Sequence, residues 1–294
     1  MNLYNKVIPF QLEKLPIRGR ILVLEEVVDT IIHKHDYPDL VGHLLAEAIL
    51  FGSLMSAALK HDGIFTLQTR TDGPINLLVA DVTENGVARG YAEFDKEKIE
   101  ALTQSKQIIS MPRLLGNGQL ALTLDQSDLK DRYQGFVALT GATFAESLQH
   151  YFTQSEQLKT ALFFATQKKE NKWRAAGIFL QLMPQLDDET EEQKSEHWLT
   201  AVSLLSTLKK SEILSDTLTP HDVLFRLFHE HDIKVFEPKQ IKAGCRCSRT
   251  RIFDILNNMT EQDRQDLVEN LYISVTCQFC NEHYEFTLDQ FIAK

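Results

Sequence analysis

The first 244 residues contain no cysteine. That excludes an exported scaffold stapled throughout by disulfides, because such a framework spreads its bridges over the structure it holds. Long apolar runs are missing too. No stretch approaches the ~18 uninterrupted apolar residues of a membrane span, and the richest segment, Ala48–Leu59, is broken by Gly52, Ser53 and Ser56. The start, Met1-Asn2-Leu3-Tyr4-Asn5-Lys6, lacks a basic stretch followed by an apolar core, so no export signal is evident. The chain is therefore expected in the cytoplasm, with no membrane partner. Positive charge is also in deficit. With 31 Lys and Arg against 41 Asp and Glu, the net charge is −10. That argues against a nucleic-acid partner, whose phosphates need clustered cations. No Ser–His–Asp arrangement and no P-loop appears, and Gly116-Asn117-Gly118 reads as a tight turn, so no enzyme activity is expected.

What remains is an ordinary globular composition, 43% hydrophobic, in 294 residues. At roughly 150 residues per domain this length suggests two domains, or one with an appendage. Charge divides the chain further. Residues 1–183 are nearly balanced, with 21 acids and 19 bases, and residues 239–294 likewise, with 8 and 7. Residues 184–238 hold 12 acids against 5 bases, including Asp187, Asp188, Glu189, Glu191 and Glu192.

The first part reads as α+β. Ile21–Leu24 is a short apolar run, and Pro38 opens a helix whose apolar residues recur from Leu40 to Leu59, with Gly63 as its stop. Strand-like runs Ile64–Arg70, Ile75–Val82 and Val87–Phe94, joined by turns at Asp72-Gly73-Pro74 and Glu84-Asn85-Gly86, predict an antiparallel meander. Gln119–Asp125 and Tyr133–Leu139 alternate as strands. Thr143–Gln154 reads as a helix capped by Thr143 with Glu146 three residues on. Thr160–Thr166 and Ala175–Met183 look like strands joined by the polar turn Lys168–Lys172. In the middle part, Asp187–Glu196 reads as a solvated acidic stretch. Trp198–Leu208 and Val223–His229 read as amphipathic helices that must pack on something else to persist.

All four cysteines lie in the last part: Cys245-Arg246-Cys247, 29 residues, then Cys277-Gln278-Phe279-Cys280. Two close pairs in a chain without an export signal point to a metal site, and four thiolates fill a tetrahedral Zn²⁺ shell, which marks a structural site. The 56 residues from 239 onward are marginal without such a staple. Gly244 is expected to free the backbone for the first knuckle. His283 is a further donor, read as a surface or supporting residue because four thiolates already close the shell; His229 and His231 are read as solvated. A zinc deaminase is excluded by Thr276 before Cys277 and the missing His-x-Glu. A thioredoxin-like oxidoreductase is excluded because Cys277 and Cys280 do not open a helix early in a βαβ unit. Coordinated thiolates are the form oxidants attack. Disulfides within the close pairs would each be worth roughly 2 kcal/mol, far below the ~10–16 kcal/mol of structural zinc, so oxidation is expected to unfold this part. Four cysteines permit three pairings. A zinc-ribbon regulatory or interaction protein, with a purely structural metal, is the competing reading.

Cys245-Arg246-Cys247-Ser248-Arg249 with Cys277-Gln278-Phe279-Cys280, Tyr284 and Phe286 resembles the C-terminal signature of the redox-regulated chaperone family called heat shock protein thirty-three. The resemblance extends through Tyr133-Gln134-Gly135, Tyr151-Phe152, Leu180-Gln181-Leu182-Met183-Pro184 and Leu224-Phe225-Arg226-Leu227-Phe228-His229-Glu230, so it covers nearly the whole chain. Lys159, where the family often has Pro, and Ala176-Gly177, a thinner Gly-rich stretch, depart from the pattern. The resemblance implies a holdase that needs no ATP. It implies zinc on Cys245, Cys247, Cys277 and Cys280 in an inactive reduced state. It also implies Cys245–Cys247 and Cys277–Cys280 disulfides after hypochlorous acid or hot peroxide. Residues 184–238 would then be a metastable linker between an N-terminal α+β domain (1–183) and a redox-switch domain (239–294). The implied partners are unfolding client proteins and, when oxidised, a second copy of the chain.

Overall fold

Alternating burial along Lys6–Leu12 and Ile17–Leu24 makes these segments, β1 and β2, sheet neighbours with Ile8 opposite Ile21 and Phe10 opposite Gly19. The computed structural model of the chain describes residues 3–57, 63–105, 109–126, 133–184, 190–269 and 271–291. It divides into two compact units, Met1–Ala243 and Gly244–Lys294.

In the first unit, β2 is followed by α1 (Glu26–Ile32) and α2 (Asp39–Ser56), then β3 (Gly63–Thr71), β4 (Ile75–Thr83) and β5 (Val87–Phe94). Next come α3 (Lys96–Gln104), α4 (Met111–Leu115), β6 (Gly118–Gln126), β7 (Tyr133–Ala138), α5 (Phe144–Ser155), β8 (Thr160–Lys169) and β9 (Lys172–Leu182). Helices α6 (Glu191–Ser206), α7 (Lys210–Ile213) and α8 (Pro220–Phe228) and strands β10 (Ile233–Val235), β11 (Lys239–Gln240) and β12 (Lys242–Ala243) complete it. One sheet has the order β10-β1-β2-β9-β8, with β11 also paired to β1; the other runs β12-β5-β4-β3-β6-β7. The expected meander is present with antiparallel register throughout.

Helix α2 packs on strands of both sheets and buries residues on nearly every face, from Val41 to Leu54. It is long and apolar enough to cross a membrane, but most of it is buried inside the unit, as a core helix is. It ends at Ser56; Gly63 opens β3 instead of stopping the helix, and Leu59 lies outside the described residues. Gly86 is the turn residue that must be glycine. Its φ is +75°, and a Cβ there would lie 2.0 Å from the Gln240 carbonyl oxygen of the strand that runs past it.

The other face of the first sheet is covered by the acidic part of the chain. Ala201, Leu205, Leu208, Ile213, Val223, Leu224, Leu227 and Phe228 form one apolar cluster with Ile8, Phe10, Ile17, Ile21, Ile178 and Leu180 of the sheet. The helices start on strong local signals. Thr190 and Gln193 exchange hydrogen bonds as a capping box, and Thr219 and Asp222 do the same with Pro220 at the first helical position. Glu191 to Glu196 are therefore the first turns of α6, which starts ahead of the expected Trp198, and their acids are solvated as expected; Asp187 to Glu189 lie outside the described residues. Acids at a helix N-terminus suit its dipole.

Other differences follow from pairing that local pattern does not report. Strand β1 is not among the expected elements, and it contains Pro9, whose carbonyl accepts from the Phe236 N–H. The β8–β9 turn is only Glu170-Asn171, both left-handed, at φ 51° and 62°. Residues 239–243, expected at the head of the C-terminal domain, are edge strands of the first unit: β11 pairs with β1, and β12 runs parallel to β5.

Candidate metal centre

The second unit is built on an antiparallel sheet of β13 (Val268–Glu269), β14 (Tyr272–Thr276) and β15 (His283–Thr287), with helices α9 (Arg249–Asn257) and α10 (Glu261–Asp266). Its fully buried apolar core among the described residues is Leu256, Ile273 and Phe286, edged by half-buried Ile252, Phe253 and Tyr284. Three such side chains are a thin core for a unit of this length.

The two cysteine pairs sit ahead of a helix and in a hairpin loop. Cys245 and Cys247 lie in the extended segment just ahead of Ser248, whose hydroxyl accepts from the Arg251 N–H and starts α9. Cys277 and Cys280 occupy the β14–β15 loop, where the Cys277 N–H donates to the Glu282 carbonyl at 2.9 Å and the Asn281 N–H to the Cys277 carbonyl at 2.8 Å. The left-handed residue of the site is Asn281, at φ 58°. Gly244 has no such conformation, so the freedom expected of it is not used.

The four sulfurs converge. Cys247 Sγ lies 3.3 Å from Cys280 Sγ, Cys245 Sγ lies 3.7 Å from Cys277 Sγ, and all four are within 4.8 Å of one another. A tetrahedron of thiolates at Zn–S distances near 2.3 Å has edges of about 3.8 Å, so the set fits a metal ion of this kind. All four cysteines are half-buried. At Cys245 burial opposes ionisation, but hydrogen bonds from the Cys247 backbone and the neighbouring thiols outweigh it and bring the pKa down to about 7. Burial pushes Cys247 and Cys280 the other way, upward. A cation at the centre would reverse that logic and hold all four as thiolates.

Tyr284, quoted above only as part of a signature, has a role that the spacing did not reveal: its hydroxyl lies 3.2 Å from Cys247 Sγ. On β15 it is two residues from Phe286 and so shares its face, which is the sequence signal that could have found it. The proximity of Cys247 is the main reason its phenol is held in the neutral, donating form. His283 is outside the sulfur cluster. Its ring nitrogens meet Thr276 Oγ1 at 3.1 Å and Ser274 Oγ at 3.3 Å, on the exposed side of the hairpin. His229 and His231 form an exposed 3₁₀ turn in the first unit. Arg249 stacks over Phe286 with its guanidinium carbon 4.5 Å from the ring centre.

Four sulfur donors saturate a tetrahedral ion and leave no open position for substrate or water. What the arrangement can do is hold two turns of a weak core together, and lose that hold when the sulfurs are oxidised.

A family model described as Hsp33 protein matches residues 5–287. A 33 kDa chaperonin of Caulobacter vibrioides is 34% identical over 281 residues, covering 94% of this chain and 92% of that protein. A 33 kDa chaperonin of Escherichia coli is 36% identical over 275 residues, covering 93% and 89%. Among solved structures, the 33 kDa chaperonin (heat shock protein 33 homolog) of Thermotoga maritima superimposes with a TM-score of 0.79 at 24% identity, covering 98% of this chain and 97% of that one, a likeness of fold.

Proposed function

The chain belongs to the Hsp33 family, a family of chaperones and not of enzymes, and from that premise we propose that it is a redox-regulated, ATP-independent holdase in the cytoplasm. In the reduced state Cys245, Cys247, Cys277 and Cys280 hold one Zn²⁺, which supplies the cross-link that the three-residue core lacks. The observation that carries this reading is the convergence of four sulfurs within 4.8 Å in a unit so poorly cored.

Oxidation removes the ligands in pairs. Each disulfide takes two electrons from two thiolates, so two equivalents of a two-electron oxidant such as hypochlorous acid or peroxide complete Cys245–Cys247 and Cys277–Cys280. Two small-loop disulfides return about 4 kcal/mol against the ~10–16 kcal/mol of the metal, and the sensor unit, residues 244–294, unfolds. The linker, residues 184–238, then loosens from the body, residues 1–183. Its apolar cluster with Ile8, Phe10, Ile17 and Ile21 becomes the surface that captures unfolding clients, and the active form is a homodimer. The exposed acids Glu191, Glu192 and Glu196 would help keep a loosened linker in solution.

Zinc content, free thiols and suppression of a client's thermal aggregation, measured before and after mild oxidation, test this together. Loss of one zinc and four thiols with gained suppression is the expected result. Suppression indifferent to redox state would sink the switch, and a zinc loss without suppression would favour a purely structural zinc ribbon.

The pairing has its own check, because two short sulfur distances run across the two pairs, Cys247 to Cys280 and Cys245 to Cys277. Trypsin cuts at Arg246, Arg249, Arg251 and Arg264. In a non-reducing digest the proposed pairing therefore joins the two short peptides that carry Cys245 and Cys247 to each other and leaves the peptide of Cys277 and Cys280 unlinked to them. A single linked mass joining Cys245 or Cys247 to Cys277 or Cys280 would replace it with the crossed pairing.

A further inference from the structure

Strand β2 places Arg18 and Arg20 on the sheet face opposite Ile17 and Ile21, which lie under the helical cover. Arg18 is engaged: its Nε donates to Gln181 Oε1 at 2.9 Å. Arg20 is not. Among the described residues its guanidinium meets only the Met55 sulfur, at 3.9 Å, and the face of Phe179, 5.3 Å from the ring centre. No carboxylate among them comes within ion-pair distance. The side chain is half-buried, and burial, with Arg18 nearby, lowers its pKa to about 10. Burying a cation without a counter-charge is costly, so its retention needs a reason.

The reason is beside it. A cleft of about 220 Å³ opens between the two sheets, walled by Met55, Phe65, Leu122, Leu124, Phe152 and Phe179. Glu156, the acid of this cleft, uses its carboxylate to accept from the Tyr133 and Tyr151 hydroxyls, at 2.6 and 2.9 Å. The cleft therefore has an apolar wall, the Arg20 guanidinium with no carboxylate partner among the described residues, Arg18 held through its Nε alone, and an acid already satisfied.

We propose that this cleft binds a medium-chain monocarboxylate, with its carboxylate on Arg20 and its hydrocarbon chain along Phe65, Leu122, Phe152 and Phe179. The guanidinium fork matches a carboxylate in two parallel hydrogen bonds. A mostly apolar wall, with Arg20 as its inner cation beside a satisfied acid, suits a carboxylate carrying a hydrocarbon chain better than a phosphate dianion. The volume holds about seven groups of water size at ~30 Å³ each, which is the chain of an eight-carbon acid and too little for a nucleotide. Because the site is on the face away from the helical cover, it stands apart from the proposed switch.

Titrating octanoate, below its micelle concentration, into the full reduced chain by calorimetry tests this, with 1-octanol as the uncharged twin. Saturable octanoate binding at least tenfold tighter than 1-octanol is expected, and that comparison needs no variant. Arg20→Met should lose at least tenfold in octanoate affinity, keep its weak affinity for 1-octanol, and melt no lower than the unmodified chain, since the charge removed has no carboxylate partner among the described residues. Absent octanoate binding, equal binding of octanoate and 1-octanol, or equal octanoate affinity of Arg20→Met and the unmodified chain would each overturn the proposal.

Discussion

A Cys280→Ser chain is expected to purify without zinc, to lose the fold of residues 244–294 and to suppress client aggregation in reducing buffer. Cys280 is one corner of the sulfur cluster, with its Sγ 3.3 Å from that of Cys247. Serine leaves three thiolates and a hydroxyl that is not a ligand of comparable softness. The buried side chains that would have to compensate are Leu256, Ile273 and Phe286, worth about 1.5–3 kcal/mol each. They fall short of the ~10–16 kcal/mol that structural zinc contributes. Zinc per chain, protease cleavage between 244 and 294 and aggregation kinetics without oxidant read the three consequences separately. A zinc-free chain that keeps this unit folded and stays inert would break the proposed coupling between sensor and surface. A chain unfolded in that unit but still inert would place the fault in the next link, between sensor and cover.

That distinction depends on what sequence pattern can and cannot carry. The cysteine cluster was legible because ligand spacing is a local property: a pair on one turn chelates whatever the remainder of the fold does. The meander from Ile64 to Phe94 was legible for the same reason, as was the Thr143 cap, which accepts from the Glu146 N–H at 3.2 Å; α8 was legible as a helix but starts at Pro220, three residues ahead of the expected Val223. The capping box at Thr190 and Gln193 was equally written in the chain, but a run of acids beside it masked the signal. Position in the sheets was not legible. Strand β1 is made by its neighbours β2 and β10, which override the break that Pro9 suggests locally. Residues 239–243 join two sheets by pairing with strands more than 150 positions earlier, and nothing in a short window reports a partner so distant. Arg20 was hidden likewise. In sequence it is one of two arginines alternating with apolar residues; only the packed sheets show that Arg18 has Gln181 and Arg20 has no such partner.

The link from cover to surface can be broken without touching a cysteine. Phe228, at the end of α8, is fully buried, with its ring 6.0 Å from that of Phe10 on β1. Around it Val223, Leu224 and Leu227 fill the same seam. Polar contacts at the margins are weaker: Asp216 reaches Arg174 at 2.8 Å and Lys169 at 3.4 Å, and its own side chain is 64% exposed, so screening leaves such pairs worth ~0–1 kcal/mol. Docking therefore depends on apolar burial. Phe228→Ala should cost about 3–5 kcal/mol through lost transfer and a residual cavity, shifting the balance of docked and released helices by about 10²- to 10³-fold or more. In the reduced protein, cleavage within 190–231 by a dilute protease should rise accordingly, and aggregation should be suppressed without oxidant, while zinc per chain stays at the level of the unmodified protein. Phe225→Ala is the matched control, because Phe225 is on the same helix but 65% exposed, where substitution is usually worth within about 0.5 kcal/mol. If Phe228→Ala loosens the helices and the protein remains inert, the apolar face of the first sheet is not the capturing surface, and the client site must be sought elsewhere on the body.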